Sequence, residues 1–387
     1  MVLGQPLYSY VGARRTLLLG RGASLSSMMI DKLVSMKYTS VYIEQAGTEH
    51  ITPVDVLADA TRDSVLGNIS HYYEEVRSRM VDYERSNSDM EELLKKESIM
   101  IQLPPSAPLR EGVKDIFQDL FLIGNVPSFQ IAAGVSRANA LHNHVLNVAV
   151  LAMLIGHLFD YSDQEQTALG MGAILHDIGK TALGNIYDRS HFELTPDERT
   201  LMRHHPNLGE KMLSRARTIS EIERQIVLQH HERQNGSGYP AGLVGDNSKP
   251  MRAAYTKPRH IFRFAEVITV ANIYDNLISG SLLNKLFSPK EALQEMLAVA
   301  GSQLNSSIVE TLFSIVTLYP VGQNIEIVKH PNPLLQGARG VVEKSESADF
   351  SEVIVVVLTD NAGQPVTPFQ EAIHLGEDEE ISLLVSD

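Results

Sequence analysis

From about residue 110 to 318, apolar side chains recur at helical spacing almost without interruption, and after Pro320 that period gives way to short strand-like runs. A chain patterned this way predicts a mainly α protein, a helical core domain with smaller modules at its ends. At 387 residues it is too long for one ordinary core. Residues 1–65 read as a small mixed α/β module: "RTLLLG" and "SVYIEQ" as strands, "SLSSMMIDKLVSM" between them as a serine-capped helix. Residues 66–135 read as a helical connector, broken at "LPPSAP" because adjacent prolines cannot continue a helix. Residues 136–318 form the helical domain, with Asp163 as the expected cap of "DQEQTALGMGAILHDIGK". Residues 319–387, with "NIEIV", "GARGVVEK" and "EVIVVVL", read as a β-rich C-terminal module.

Composition removes several classes of function. With no cysteine there is no disulfide, iron–sulfur cluster or thiolate zinc site, so any metal must be held by imidazole, carboxylate or amide oxygen. The formal net charge of −14 speaks against a duplex nucleic-acid binder. It leaves a small anionic substrate open, since bound divalent cations override the overall sign locally. No apolar run reaches the ~18 residues of a membrane span, so no membrane insertion is expected. The N-terminus "MVLGQPLYSYVGARR" lacks the basic-then-apolar order of a secretory signal. The expected location is cytoplasmic.

The fourteen histidines are unevenly placed, most of them falling between His142 and His260. "LHNHVLNVAVLA" supplies His144 and "LHDIGK" supplies His176 and Asp177. "RHHPNLGEKML" supplies His204 and His205, and "LQHHERQNGSGYP" supplies His230, His231 and Glu232 before a glycine-rich turn. Each piece also has an ordinary structural reading. A lone histidine on an apolar helix face is usually a satisfied core residue, which is the expectation for His157, His191 and His260. "HPNLG" can be a helix start with proline in its first turn, and "NGSGYP" a plain turn. Adjacent histidines diverge by about 100° on a helix, so His230 and His231 can converge only near a helix end. Together, in this order, the pieces point to a cluster of ligands for divalent transition metals, in which Asp177 has two oxygens to share between ions about 3.5–4 Å apart.

"LHDIGK", "HHP" with "LGEKML", and above all "HHERQNGSGYPAGL" resemble the HD-GYP family, a subgroup of the HD-domain metal-dependent phosphohydrolases. The resemblance covers about residues 136–318 and implies an all-helical HD-type catalytic domain that hydrolyses the bacterial second messenger cyclic di-GMP. It implies two divalent ions, iron or manganese. His144, His176, Asp177, His205, His230 and His231 are the implied ligands, with Asn272 standing where the family has aspartate. Asp177 and Lys180 are the implied catalytic residues, beside the bridging water and the scissile phosphate. Gly238, Tyr239 and Pro240 would shape the lip of the site, and Glu232 would orient a histidine.

Four departures qualify the resemblance. Asn272 offers a neutral amide oxygen in place of a carboxylate, with Asp275 one turn later. The arginine-bearing phosphate grip is replaced by "SGSLLNKLFS", leaving Lys285 as the nearby positive charge, while Arg252, Lys257, Arg259 and Arg263 read as solvated basic residues. Ala140 stands where three-metal members carry glutamate, so two ions are expected; Asn235 replaces an aspartate in the loop.

The expected activity is therefore a phosphodiesterase that opens cyclic di-GMP to pGpG, and then to GMP, by attack of a hydroxide bridging the two ions. A second reading is a degenerate domain that binds cyclic di-GMP or a protein partner with little turnover. A third is hydrolysis of another cyclic dinucleotide. The end modules suit assembly, as a homodimer or with a protein partner.

Overall fold

The computed structural model describes the chain apart from residues 12–13, 37, 39–40, 53–54, 88–94, 96–98, 100, 122–139, 188, 190, 252–257, 281–284, 346–351, 377 and 384–387. The N-terminal module holds short strands β1 (Val2–Leu3), β2 (Leu7–Val11), β3 (Arg14–Leu19) and β4 (Ile43–Glu44) around helix α1 (Ser27–Ser35). Ser26 caps α1 by accepting from the Met29 amide. β2 and β3 form a hairpin and β1 pairs with β4, over a small core of Leu3, Leu7, Leu25, Leu33 and Tyr38.

The connecting helix α2 (Asp59–Asn87) begins inside the range expected for the first module. Helix α3 (Ala107–Phe121) starts immediately after the double proline. Helices α4 (Ala140–Leu158), α5 (Asp163–Leu175), α6 (Pro196–Met202), α7 (His205–Leu213), α8 (Glu221–Gln229), α9 (Arg263–Ile278), α10 (Pro289–Val299) and α11 (Ser306–Ile315) build the main core. The sequence marks several of their starts with a capping box, in which a serine or threonine oxygen accepts from the third helical amide and a glutamate reaches back. These pairs are Ser162–Glu165, Thr195–Glu198, Ser220–Glu223 and Ser288–Glu291. The cap of α5 is thus Ser162 and not Asp163, which lies inside the first turn.

Helix α4 runs through the centre, packed on α5, α9 and α11. By length and composition it could cross a membrane, yet 72% of its apolar window is buried inside the protein, as in a core helix. Gly172 on α5 lets α8 approach, since a Cβ there would collide with Ile226. Helix α2 lies against the segment following α5, and the Tyr73 hydroxyl donates to the Ile174 carbonyl at 2.7 Å.

Strands β5 (Asn324–Lys329), β6 (Arg339–Ser345), β7 (Glu352–Thr359), β8 (Pro365–His374) and β9 (Glu380–Leu383) form an antiparallel sheet in the order β8-β7-β6-β5-β9. The first three match the strand-like runs of the sequence. The outer two gave no alternation to read: β8 carries Pro365 and Pro368 and is largely exposed, as an edge strand can be. The end modules meet, with His50 Nε2 2.7 Å from Glu343 Oε1 and Gly47 against the Pro368 ring.

Candidate metal centre

The predicted ligand residues sit where helices end or begin. His176 is the C-terminal cap of α5, His205 opens α7, and His230 is the C-terminal cap of α8. At these positions the backbone turns away, so both members of "HD" and of "HH" can face one point. A glycine makes the assembly fit: a Cβ on Gly179 would run into the His205 carbonyl oxygen and lie 2.5 Å from the Gly209 amide. The turn after Asp177 therefore rests directly on the backbone of α7. "HPNLG" is a helix start with proline in its first turn as well as a source of His205.

One orienting device recurs. His176 Nδ1 lies 2.7 Å from the Ala173 carbonyl, His205 Nδ1 2.7 Å from Met202 O, and His230 Nδ1 2.8 Å from Val227 O. A carbonyl only accepts, so each ring carries its proton on Nδ1 and turns a bare Nε2 inward. His144 is oriented from further away: its Nδ1 donates to Asp275 Oδ2 at 2.6 Å, and Asn147 Nδ2 donates to Asp275 Oδ1 at 2.9 Å.

The two oxygens of buried Asp177 face different partners. Oδ1 is 3.2 Å from His205 Nε2 and 3.9 Å from His230 Nε2. Oδ2 is 3.4 Å from His176 Nε2, 3.9 Å from His144 Nε2 and 2.5 Å from Lys180 Nζ. Two groups result, Asp177 with His205, His230 and His231, and Asp177 with His144 and His176, and in each the candidate ligand atoms lie within 4.8 Å of one another.

The chemistry of this donor set fits a cation. The bare Nε2 atoms of His205 and His230 stand 3.1 Å apart, which sets two lone pairs against each other unless a positive charge lies between. The buried His176 Nε2 has no hydrogen-bond partner among the described residues. Burial would raise the Asp177 carboxyl, but the Lys180 ammonium, with His176 and His205 beside it, outweighs this and holds it well below the usual carboxylate range. Burial, then neighbouring imidazoles, pulls His230 well below its ordinary value, and burial followed by His230 and His205 does the same for His231. Burial lowers His205 as well, against the pull of Asp177. An ionised carboxylate among neutral imidazoles is the state a divalent metal requires.

The lip of the site is built from the glycine-rich turn. The Tyr239 amide donates to the His231 carbonyl at 3.1 Å, and the Tyr239 ring stacks on His231 at 4.7 Å. Gly238 has no room for a side chain, because a Cβ would come 2.5 Å from Glu232 Cα and from the Arg233 amide. The Tyr239-Pro240 peptide is cis. Asn235 forms a local turn with Ser237, 3.0 Å from its amide.

Several expectations are corrected. Glu232 does not orient a histidine: its carboxylate accepts from the Ala241 and Leu243 amides at 2.7 and 2.8 Å, tying down the loop after Pro240. His157 and His191 are exposed and His260 is half-buried, so none is a core histidine; His157 stacks on Phe121 at the surface. Lys285 turns to Glu291 at 3.7 Å and lies over the Phe287 ring. Arg263 pairs with Glu165 at 2.7 Å and is not a free solvated cation, while Arg252 and Lys257 lie outside the described residues. Asn272 is buried, but its Oδ1 accepts from Asn276 Nδ2 at 2.6 Å. The sequence placed Asp275 one turn after Asn272 without its bond to His144, and it overlooked Arg203, whose guanidinium lies over the Tyr239 ring at 4.5 Å. The mixed Arg–His–His run before Pro206 was the available signal.

Comparison with known proteins agrees with this architecture. The HD-domain family model matches residues 130–308. The cyclic di-GMP phosphodiesterase response regulator RpfG of Xanthomonas campestris is 31% identical over 163 residues, 42% of this chain and 40% of that protein. A cyclic di-GMP phosphodiesterase of Thermotoga maritima is 29% identical over 175 residues, 45% of this chain and 44% of that one. The 3'3'-cGAMP-specific phosphodiesterase 2 of Vibrio cholerae is 25% identical over 178 residues, 46% of this chain and 32% of that one. The chain thus spans less than half the length of these curated relatives. Residues 130–308 thus match the HD-domain family model, and the paired histidine–aspartate turn lies within that matched segment.

Proposed function

We propose that the helical domain, taken as residues 136–318, is a metal-dependent phosphodiesterase of cyclic dinucleotides, with cyclic di-GMP as substrate and pGpG, then GMP, as products. The observation that carries this reading is the division of Asp177, one oxygen toward His205 and His230 and the other toward His144 and His176. Two divalent ions, iron or manganese, would be held by those two groups, with His231 completing the first. Ions bound there supply positive charge against phosphoryl oxygens and a water of lowered pKa. Lys180, 2.5 Å from Asp177 Oδ2, holds its ammonium at the same edge, where it stabilises negative charge developing on the phosphoryl group. Gly238, Tyr239 and Pro240 form the wall against which a nucleotide lies. The relatives, phosphodiesterases of cyclic di-GMP and 3'3'-cGAMP, support a cyclic dinucleotide diester as the substrate class. The end modules, in contact through His50 and Glu343, would serve sensing or assembly.

A second reading rests on Asn272, engaged by Asn276, and on Lys285, engaged by Glu291: a domain that binds the nucleotide with little turnover. One experiment separates them. Protein prepared without oxygen and loaded with Fe(II) or Mn(II) is incubated with cyclic di-GMP, and the products are resolved by chromatography. Formation of pGpG or GMP that disappears in the His176→Ala/Asp177→Ala variant is the expected result. No product with both ions bound overturns the phosphodiesterase, and retained nucleotide binding then identifies a receptor.

A further inference from the structure

Resting on the phosphodiester reading above, we infer that Arg203 is the anion grip of this site: its guanidinium, held over the Tyr239 ring at the lip, binds a phosphate of the dinucleotide. The chain lacks the arginine-bearing segment expected after α9, and Lys285 in that region faces Glu291. Lys180 and the ions serve the scissile phosphoryl group at the centre, and the second phosphate of a doubly anionic substrate is left for a cation at the lip.

Several other arginines of the bundle are already paired with carboxylates. Arg110 faces Glu223, Arg189 faces Glu198, Arg224 faces Glu210, and Arg263 faces Glu165, each within ion-pair distance. Arg203 is exposed and has no carboxylate within that distance among the described residues. It instead tops a ladder: guanidinium over Tyr239 at 4.5 Å, Tyr239 on His231 at 4.7 Å. The ladder is anchored, since the Tyr239 amide donates to His231 O and the Thr269 hydroxyl donates to His230 O at 3.0 Å. Arg203 follows the last residue of α6 and stands two positions before His205, so the element that delivers a candidate ligand also delivers the cation. A guanidinium lying on an aromatic face keeps its N–H edge free, and that edge matches two phosphate oxygens. Tyr239 and Arg203 together would make a stacked, positively charged rim that a mononucleotide cannot span as a dinucleotide does.

The test uses the full chain loaded with Mn(II), as wild type, Arg203→Ala and Arg203→Gln, the last keeping the side-chain stem without its charge. Binding of labelled cyclic di-GMP is measured at 4 °C by filter retention at low and moderate salt, and KM and kcat are measured at 25 °C. Metal content and thermal midpoint of each variant are recorded alongside. Both variants are expected to weaken binding on the order of tenfold or more at unchanged metal content, with the loss falling mostly in KM. Their binding should also respond less to salt than that of wild type, because one charged contact is gone. Binding and KM within twofold of wild type in both variants overturn the role of Arg203 and leave the phosphodiesterase standing. A wild type that neither binds nor hydrolyses the nucleotide overturns the functional reading and this inference together.

Discussion

Asp275 Oδ2 accepts a hydrogen bond from His144 Nδ1 at 2.6 Å, across 131 positions of sequence. The carboxylate is fully buried and is held in turn by Asn147. It fixes the tautomer of His144 and turns Nε2 toward Asp177. Asp275→Ala is therefore expected to weaken divalent-metal binding by roughly 10- to 100-fold, the usual effect of removing such a partner. Asp275→Asn, which retains an acceptor oxygen, should lose less. Metal affinity measured by competition with a chelator checks this, and an affinity equal to wild type in Asp275→Ala would show that His144 needs no such support.

The group formed by His144, His176 and Asp177 contains a single carboxylate, and it is shared with the other group. Asn272 lies one helical turn before Asp275 and is buried beside the same helix face. Asn272→Asp adds a negative charge there while leaving Asn276 an acceptor oxygen for its amide. The expected outcome is about tenfold tighter binding of a second Mn(II), a gain reasonable for one carboxylate ligand. Titration of the variant with Mn(II), followed by the number of ions retained per chain, reads this directly. Unchanged stoichiometry and affinity would mean that the Asn272 side chain does not reach the ion.

Gly179 shows how backbone contact limits the site. A methyl group at this position meets the His205 carbonyl and the Gly209 amide, neither of which can rotate away. Gly179→Ala should cost about 3 kcal/mol or more, at the upper end of overpacking, and should separate Asp177 from His205. A large fall in the thermal midpoint together with lost metal is expected. A variant that retains both would indicate that α7 can slide along its neighbours.

The helical domain was readable because its signals are local, although the cap of α5 was expected at Asp163, one residue past its place. Ser162 to Glu165 and Thr195 to Glu198 span one turn, so the capping boxes appear as short strings. The candidate ligand cluster was expected on a related ground: its residues come as adjacent pairs at helix ends, where the turn itself brings them together. What stayed hidden depends on residues far apart in sequence. Nothing near His144 announces Asp275, and nothing near Glu232 shows that its carboxylate holds Ala241 and Leu243 and leaves the histidines alone. Arg203 reads as one more surface arginine until Tyr239 is folded under it. The edge strand β8 is set by pairing to β7, with its own prolines speaking against it.

Glu266 provides a measurable consequence of burial away from the candidate metal centre. Its side chain is 8% exposed and accepts from Gln234 Nε2 at 2.5 Å, beside Asn305. Burial pushes the carboxyl up to about 7, from an ordinary value of 4.5. The folded protein therefore holds a proton that the unfolded chain releases near its ordinary value. The stabilising contribution is complete below that value and is lost as pH rises through about 7. At about 1.4 kcal/mol per pKa unit, the loss by pH 8 is on the order of 3 kcal/mol. Glu266→Gln keeps a neutral group of the same shape and should remove this slope. Thermal midpoints of wild type and variant, compared between pH 5 and 8, are expected to lie close at the acid end, to separate as pH rises to about 7 and to keep that separation above it, with the variant the more stable. Parallel curves would show that Glu266 is ionised in the folded protein and that Gln234 and Asn305 already offset the cost of its charge.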